Sequence, residues 1–313
     1  MRIAIFGSGG VGGYFGGRLA QAGHDVTFIA RGEHLAAMLE SGLRVSSIAG
    51  DFVLDKVQAT DDPKKVGEVD FVICAVKAWQ VAAAAKSMVP MIGENTLVIP
   101  LQNGIEAPGQ LVDVLGSEAV LGGLCALIAF RSGAGQIKHI GANPLIRFNR
   151  LDKRSDSRVN QLSEAFNHCD GVKSSIPFDV NVAMWQKFLL ISSWSSVGAV
   201  SRAPIGVLLK LPETRQLLID SMQEIYQLAL AKGINLPGDS IQKTLGVLES
   251  LPEKSTTSMQ QDIVKGDPSE LDEQSGAIVR LAKELNIDVP VNRFLLDSLR
   301  PQELRARGAL NFS

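Results

Sequence analysis

The chain has 313 residues, with 31 Lys+Arg against 33 Asp+Glu for a net charge of −2, and 45% of its residues are hydrophobic. This is an ordinary soluble composition and a length that favours two domains, each able to bury a core. The near-neutral balance argues against nucleic-acid binding by bulk charge, which needs clustered Lys and Arg to neutralise phosphates.

Residues 2–6 read as a buried strand, 11–22 as a helix ending at Gly23, and 25–30 as a second strand. That order is a β-α-β unit with a right-handed crossover and a parallel strand pair. An irregular segment is expected at 44–60. Two continuous Val/Ile/Leu runs, 69–76 and 96–101, follow as parallel strands covered on both faces. Residues 120–150, punctuated by Gly133, Gly135, Gly141 and Pro144, read as shorter antiparallel strands added at the sheet edge. Beyond 178 the strand signal gives way to helical periodicity, with helices expected over 182–197, 213–232, 241–248, 269–285 and 291–299. A boundary is therefore expected between a domain at 1–178 and one at 179–313. The four-residue apolar run before Gly7 is too short for a secretory leader, and the longest apolar stretch, 120–130, is too short to span a membrane. A cytoplasmic protein is expected, without membrane partners. Cys74, Cys125 and Cys169 are widely spaced in apolar or helical patterns and read as core thiols, and the four histidines lack metal-ligand spacing, so no metal is expected.

Gly7-Ser8-Gly9-Gly10-Val11-Gly12 fits G-x-G-x-x-G between a strand and a helix, the context that gives this motif its meaning. Gly7 allows the tight turn, Gly9 the approach of a pyrophosphate to bare backbone, and Gly12 close packing of helix on strand. The helix N-terminus adds free N–H groups and the positive end of a dipole. At the end of the second strand, Phe28-Ile29-Ala30-Arg31-Gly32, no carboxylate stands ready for a ribose 2′-hydroxyl, and Arg31 offers a guanidinium suited to a 2′-phosphate. NADP(H) is expected over NAD(H).

In open α/β sheets ligands lie beyond the carboxyl ends of the strands. Lys77 and Asn103 follow two such ends; a solvated lysine and an Asn-Gly turn are their plainer readings. Lys187 is a single cation inside the apolar run 184–191, either snorkelling to water or facing a cleft. Glu270 stands three residues after Asp267, with Pro268 between, and a capping box at a helix start would account for it.

Taken in order, the glycine loop, Val76-Lys77-Ala78-Trp79-Gln80, Leu101-Gln102-Asn103-Gly104, Trp185-Gln186-Lys187 and Ser258-Met259…Asp262…Ser269-Glu270-Leu271-Asp272 resemble the ketopantoate reductase family over nearly the whole chain. The resemblance implies a Rossmann-type α/β domain followed by an all-α domain like that of 6-phosphogluconate dehydrogenase, with the active site in the cleft between them. It implies reduction of 2-dehydropantoate to (R)-pantoate by NADPH, a step toward pantothenate and coenzyme A. Lys187 and Glu270 then match the catalytic residues. Lys77, Asn103, Ser195 and Ser258 fall at substrate-binding positions, with Lys77, Asn103 and Glu270 also toward the cofactor held by Gly7, Ser8, Gly9, Gly10, Val11, Gly12 and Arg31. One departure bears on the substrate: the family carries asparagines four and eight residues after the lysine, and this chain has Ile191 and Ser195. Ser192, Ser193, Ser195 and Ser196 are candidate replacement hydroxyls. A reductase of another 2-oxo acid and an idle NADPH-binding sensor stay open as alternatives, and a homodimer is left open as the assembly.

Overall fold

In the computed structural model, residues 1–312 are described, leaving aside the side chain of Ala142. The chain forms two compact units: Met1–Gln102 with Ala107–Val180, and Asn103–Glu106 with Asn181–Ser313. The second unit thus takes in the short segment that carries Asn103.

The first unit contains two sheets. Its strands are β1 (Arg2–Phe6), β2 (Asp25–Ile29), β3 (Leu43–Ser47), β4 (Phe52–Leu54), β5 (Gln58–Thr60), β6 (Phe71–Cys74), β7 (Leu97–Pro100), β8 (Leu121–Gly133), β9 (Gln136–Arg150) and β10 (Lys173–Ser175). Its helices are α1 (Gly10–Gln21), α2 (Gly32–Ser41), α3 (Val81–Met88), α4 (Ala107–Leu115) and α5 (Ser157–Asn167). The first sheet is parallel throughout, in the order β5-β2-β1-β6-β7. Alternation along β1 sends Ile3 and Ile5 into one apolar cluster and Ala4 and Phe6 into another, so both faces of the sheet are covered, as a parallel sheet requires.

The second sheet corrects two sequence expectations. Residues 44–60 are not irregular: they supply β3 and β4 of this sheet and β5 at the edge of the first, strands of three to five residues whose periodicity is too short to register. Residues 120–150 form two long strands rather than several short ones; among the described residues they meet the edge of the first sheet through an isolated parallel bridge between Val98 on β7 and Val120, and otherwise belong to the second sheet. β8 and β9 pair antiparallel with register shifts; β9 then pairs parallel with β3 through its first residues and with β10 through its later ones. Those shifts let one fifteen-residue strand bend between partners.

The second unit is helical: α6 (Val180–Ser201), α7 (Ile205–Lys210), α8 (Pro212–Ala231), α9 (Ser240–Glu249), α10 (Ser258–Lys265), α11 (Ala277–Leu285) and α12 (Pro290–Ala306). From Ser192 to Ala199 every residue of α6 is buried, which marks it as the central helix of its unit. Its own Phe188, Leu189 and Val197 share a core with Leu218, Ile225, Leu228, Ile278 and Leu295. Buried Glu224 satisfies the N-terminus of α12, accepting from Val291 N–H at 2.8 Å, Asn292 N–H at 2.9 Å and Asn292 Nδ2 at 2.6 Å.

No helix of the described residues is long and apolar enough to cross a membrane, and none of their His, Cys, Asp and Glu side chains group in threes to hold a metal ion. All three cysteines are buried free thiols, and burial pushes Cys74 up to about 12 and Cys169 up to about 11.

Candidate active site

In the first unit the glycine loop joins β1 to α1, and its glycines answer different demands. Gly7 has φ +101°, and a Cβ there would lie 2.7 Å from Val76 N; at Gly12 a Cβ would stand 2.1 Å from Gly7 O. Around the Cβ position of Gly9, by contrast, there is no protein atom within 4 Å, so bare backbone faces open space. Gly10 meets the carbonyl oxygen of Ala129 on β8, where a Cβ would come to 2.1 Å. The first bond of α1 runs from Gly13 N–H to Gly9 O at 2.7 Å, which leaves the N–H groups of Gly10, Val11 and Gly12 without acceptors inside the helix. Three such groups beside an open glycine face fit the pyrophosphate of a dinucleotide. Ser8 is buried, its Oγ donating to Ile29 O at 2.9 Å, which ties the loop to the end of β2.

Arg31 follows β2, is exposed and stands at the N-cap of α2. Lys77 follows β6 at the start of a short 3-10 turn; its backbone N–H donates to Gln80 Oε1 at 3.2 Å, and its ammonium lies 5.5 Å from the centre of the Trp79 ring. Gln102 ties that strand end to β7 by donating from Nε2 to Cys74 O and Val76 O, both at 3.0 Å.

In the second unit, Asn103 Nδ2 donates to Glu270 Oε2 at 3.1 Å, and Gln274 Nε2 reaches the same oxygen at 3.5 Å. Two sequence-predicted residues 167 positions apart are thus joined directly, by a carboxylate only 7% exposed. The capping box expected for Glu270 is not formed. Asp267 is exposed and outside any helix, and the helical run starts with a π turn, Asp272–Gly276, in which Gly276 N–H bonds Leu271 O at 3.0 Å. Such turns recur at functional sites because the extra residue re-aims neighbouring side chains. Gly104, at φ +105°, lets the 103–106 segment approach this turn; a Cβ there would stand 2.9 Å from Glu273 O. Burial pushes the Glu273 carboxyl up to about 7, and its Oε2 is enclosed without a partner among the described residues.

Ser269 holds Glu270 from the preceding side. Its N–H donates to both oxygens of buried Glu303 at 3.2 Å, its hydroxyl donates to Glu303 Oε2, and its carbonyl accepts from Arg307 at 3.0 Å. Lys187 is half-buried on α6 and forms no hydrogen bond or ion pair with a described residue of its own unit. Ile191 and Ser195 follow it at helical spacing on the same face. Ser193 and Ser196 spend their hydroxyls on the carbonyls of Leu189 and Ser192, at 2.7 and 2.8 Å, and Ser196 also meets Ser275 Oγ at 2.7 Å. Ser192 and Ser195 keep theirs without a partner among the described residues, both fully enclosed. Ser258 is exposed at the first position of α10, beside the capping Thr257, whose Oγ1 accepts from Gln260 N–H at 3.2 Å.

Two residues escaped sequence reasoning. Gln274 stands one helical turn beyond Glu270, a spacing that could have flagged it; His34, which binds Ser8, had no metal-ligand spacing to draw attention.

A parallel β-α-β sheet with an open glycine loop, joined in one chain to a helical unit carrying a buried carboxylate–carboxamide pair, defines a dinucleotide-dependent oxidoreductase. Family models agree: ketopantoate reductase PanE/ApbA matches residues 3–153, and its C-terminal model matches 179–303. The chain belongs to the ketopantoate reductase family. A 2-dehydropantoate 2-reductase of Nostoc sp. is 28% identical over 303 residues, covering 96% of this chain and 94% of that one. The crystal structure of a PanE/ApbA family ketopantoate reductase from Ralstonia eutropha JMP134 is 32% identical, covers 98% of this chain and 100% of its own, and superposes with a TM-score of 0.88. A D-mandelate dehydrogenase, solved with NADH and anilino(oxo)acetate, shares the fold at 22% identity, 98% and 100% coverage and a TM-score of 0.89.

Proposed function

We propose that this chain reduces a 2-oxo acid with NADPH, taking 2-dehydropantoate to (R)-pantoate in the cytoplasm, with Lys187 and Glu270 as its catalytic residues. The observation that carries the reading is the Asn103–Glu270–Gln274 cluster, which keeps a buried acceptor oxygen in a fixed place within a member of this family. Gly7, Ser8, Gly9, Gly10, Val11, Gly12 and Arg31 hold the dinucleotide, which supplies the hydride when bound.

As a 2-oxo group is reduced, negative charge grows on its oxygen. The ammonium of Lys187 meets that charge and passes a proton to the oxygen. Glu270 accepts a hydrogen bond from a substrate hydroxyl, and Asn103 keeps the carboxylate aimed. Ser258 and Lys77 engage the carboxylate end of the substrate; Ser195, fully enclosed, makes no contact with it.

A second reading, a reductase of a different 2-oxo acid, is favoured by Ile191, which cannot hydrogen-bond a hydroxyl. Initial rates of NADPH and NADH oxidation with 2-dehydropantoate and a panel of 2-oxo acids of graded side chain separate the two. The highest kcat/KM is expected with 2-dehydropantoate and NADPH. A higher value with an unhydroxylated acid moves the substrate to that acid, and no oxidation with any member of the panel removes the reductase reading. Arg31→Ala is expected to weaken NADPH binding about tenfold while leaving NADH binding unchanged, because a charge-assisted contact to the 2′-phosphate is lost. Equal weakening of both coenzymes would take Arg31 out of the selection.

A further inference from the structure

His34 is a buried polar residue, 4% exposed, that the reaction as proposed does not use. Its two ring nitrogens face partners of opposite kind. Nδ1 lies 3.0 Å from the N–H of Gly135, in the turn between β8 and β9. An amide N–H can only donate, so Nδ1 is bare. Nε2 lies 2.8 Å from the carbonyl oxygen of Ser8, which can only accept, so Nε2 carries the hydrogen. The partners dictate the tautomer.

Ser8 is the second residue of the glycine loop, and its side chain is already spent on Ile29 O. Its carbonyl is the loop's other polar handle, and it is tied through one imidazole to a turn 127 residues further along the chain. From the same hairpin, Ala129 abuts Gly10. The loop is thereby braced from β2, from α2 and from the β8–β9 hairpin, while the face of Gly9 stays open.

We infer that His34 is a positioning residue for the dinucleotide: as the neutral Nε2–H tautomer it fastens the Ser8 carbonyl to the β8–β9 turn and so holds the N–H groups of Gly10, Val11 and Gly12 in place for the pyrophosphate. The inference rests on the dinucleotide reading of the loop. Protonation puts a hydrogen on Nδ1 facing the Gly135 N–H, two donors 3.0 Å apart, and the clamp turns from attractive to repulsive.

Burial disfavours the imidazolium; the Ser8 carbonyl works in the other direction, and the charge of Arg131 on β8 adds to the effect of burial. The net result holds His34 below its ordinary value of 6.5. Other charged groups on the neighbouring elements include Arg44 on β3, whose backbone N–H donates to Gly135 O, Lys138 on β9, Glu40 on α2, Asp25 on β2, and Arg31 and Glu33 beside His34 in sequence. Neither β5 nor the 7–12 loop carries an ionisable side chain. A group depressed in the folded state contributes fully above 6.5 and loses its contribution as pH falls through the lowered value, so the clamp releases on the acid side.

The test compares the full-length wild type with His34→Gln, which keeps a donor and an acceptor but does not titrate in this range. Dissociation constants for NADPH and NADH are measured from pH 7.5 down to 5. The wild-type constant should rise about five- to tenfold more than the variant's over that range, for both coenzymes. Subtracting the variant's profile removes the ionisation of the 2′-phosphate itself. Parallel pH profiles in the two proteins overturn the clamp alone. Failure of folded wild type to bind either coenzyme at any pH overturns the dinucleotide reading, and the clamp with it. Should His34→Gln not fold, the imidazole 15N resonances of the wild type decide. They should show a protonated Nε2 and a bare Nδ1 at pH 7.5, and a His34 pKa that falls further on adding NADPH. A protonated Nδ1, or a pKa indifferent to NADPH, overturns the proposal.

Discussion

Replacing Lys187 with alanine is expected to lower kcat about a thousandfold while changing the NADPH dissociation constant by no more than about twofold. The asymmetry follows from where the ammonium acts. It belongs to the helical unit, and the glycine loop proposed to hold the dinucleotide belongs to the other unit. Its contribution grows only as charge develops on the substrate oxygen, so its loss falls on the transition state rather than on coenzyme binding. Lys187→Arg keeps the charge but gives up the proton far less readily, and should recover only part of the rate. Steady-state kinetics with a coenzyme titration by fluorescence provides both numbers. Near wild-type turnover in Lys187→Ala would remove this lysine from the mechanism.

Glu303→Ala should give the largest loss of stability, about 3 kcal/mol. Glu303 is 1% exposed, and its carboxylate accepts from the N–H and hydroxyl of Ser269 and from Arg307 Nε at 2.6 Å. Truncation strands two buried donors of Ser269 and removes one acceptor of a half-buried guanidinium. In a unit of this size the melting temperature should fall by about 10 °C, seen by calorimetry. Ser269 immediately precedes Glu270, so kcat/KM should also drop in the protein that stays folded, with Glu303→Gln intermediate in both measurements. Wild-type melting in Glu303→Ala would show that this network does not hold the segment.

Local patterns were readable wherever the physical demand is local. The glycine loop is one case: Gly7 needs a positive φ and Gly12 a bare Cα against Gly7 O, and both demands are met within six residues. The parallel strands are another, because residues buried on both faces leave continuous apolar runs such as Phe71–Cys74. Strands held by distant partners were not readable. β3 is five residues long, and besides the nearby β4 it is held by the pairing of Arg44–Ser47 with Gln136–His139, some ninety positions away. At Glu270 a local signature misled, since Asp267, Pro268 and Glu270 have the spacing of a capping box while the chain makes a π turn instead. Ser192, Ser193, Ser195 and Ser196 of α6 looked equivalent in sequence. Packing alone separates Ser193 and Ser196, which bond backward along the helix, from Ser192 and Ser195, which keep their hydroxyls unspent.

The order of amino acids alone was enough to set the alternating α/β half, the helical half, the glycine loop between β1 and α1 and the cation within an apolar run. Backbone sterics and the two periodicities of side-chain burial act over a few residues, and composition records them directly. Tertiary structure decided which polar groups meet. Asn103 and Glu270 come together across 167 positions, and the tautomer of His34 is set by partners 26 and 101 positions away. Hydrogen bonds depend on distance and angle rather than on sequence separation, so these pairings exist only once the chain has closed its long loops.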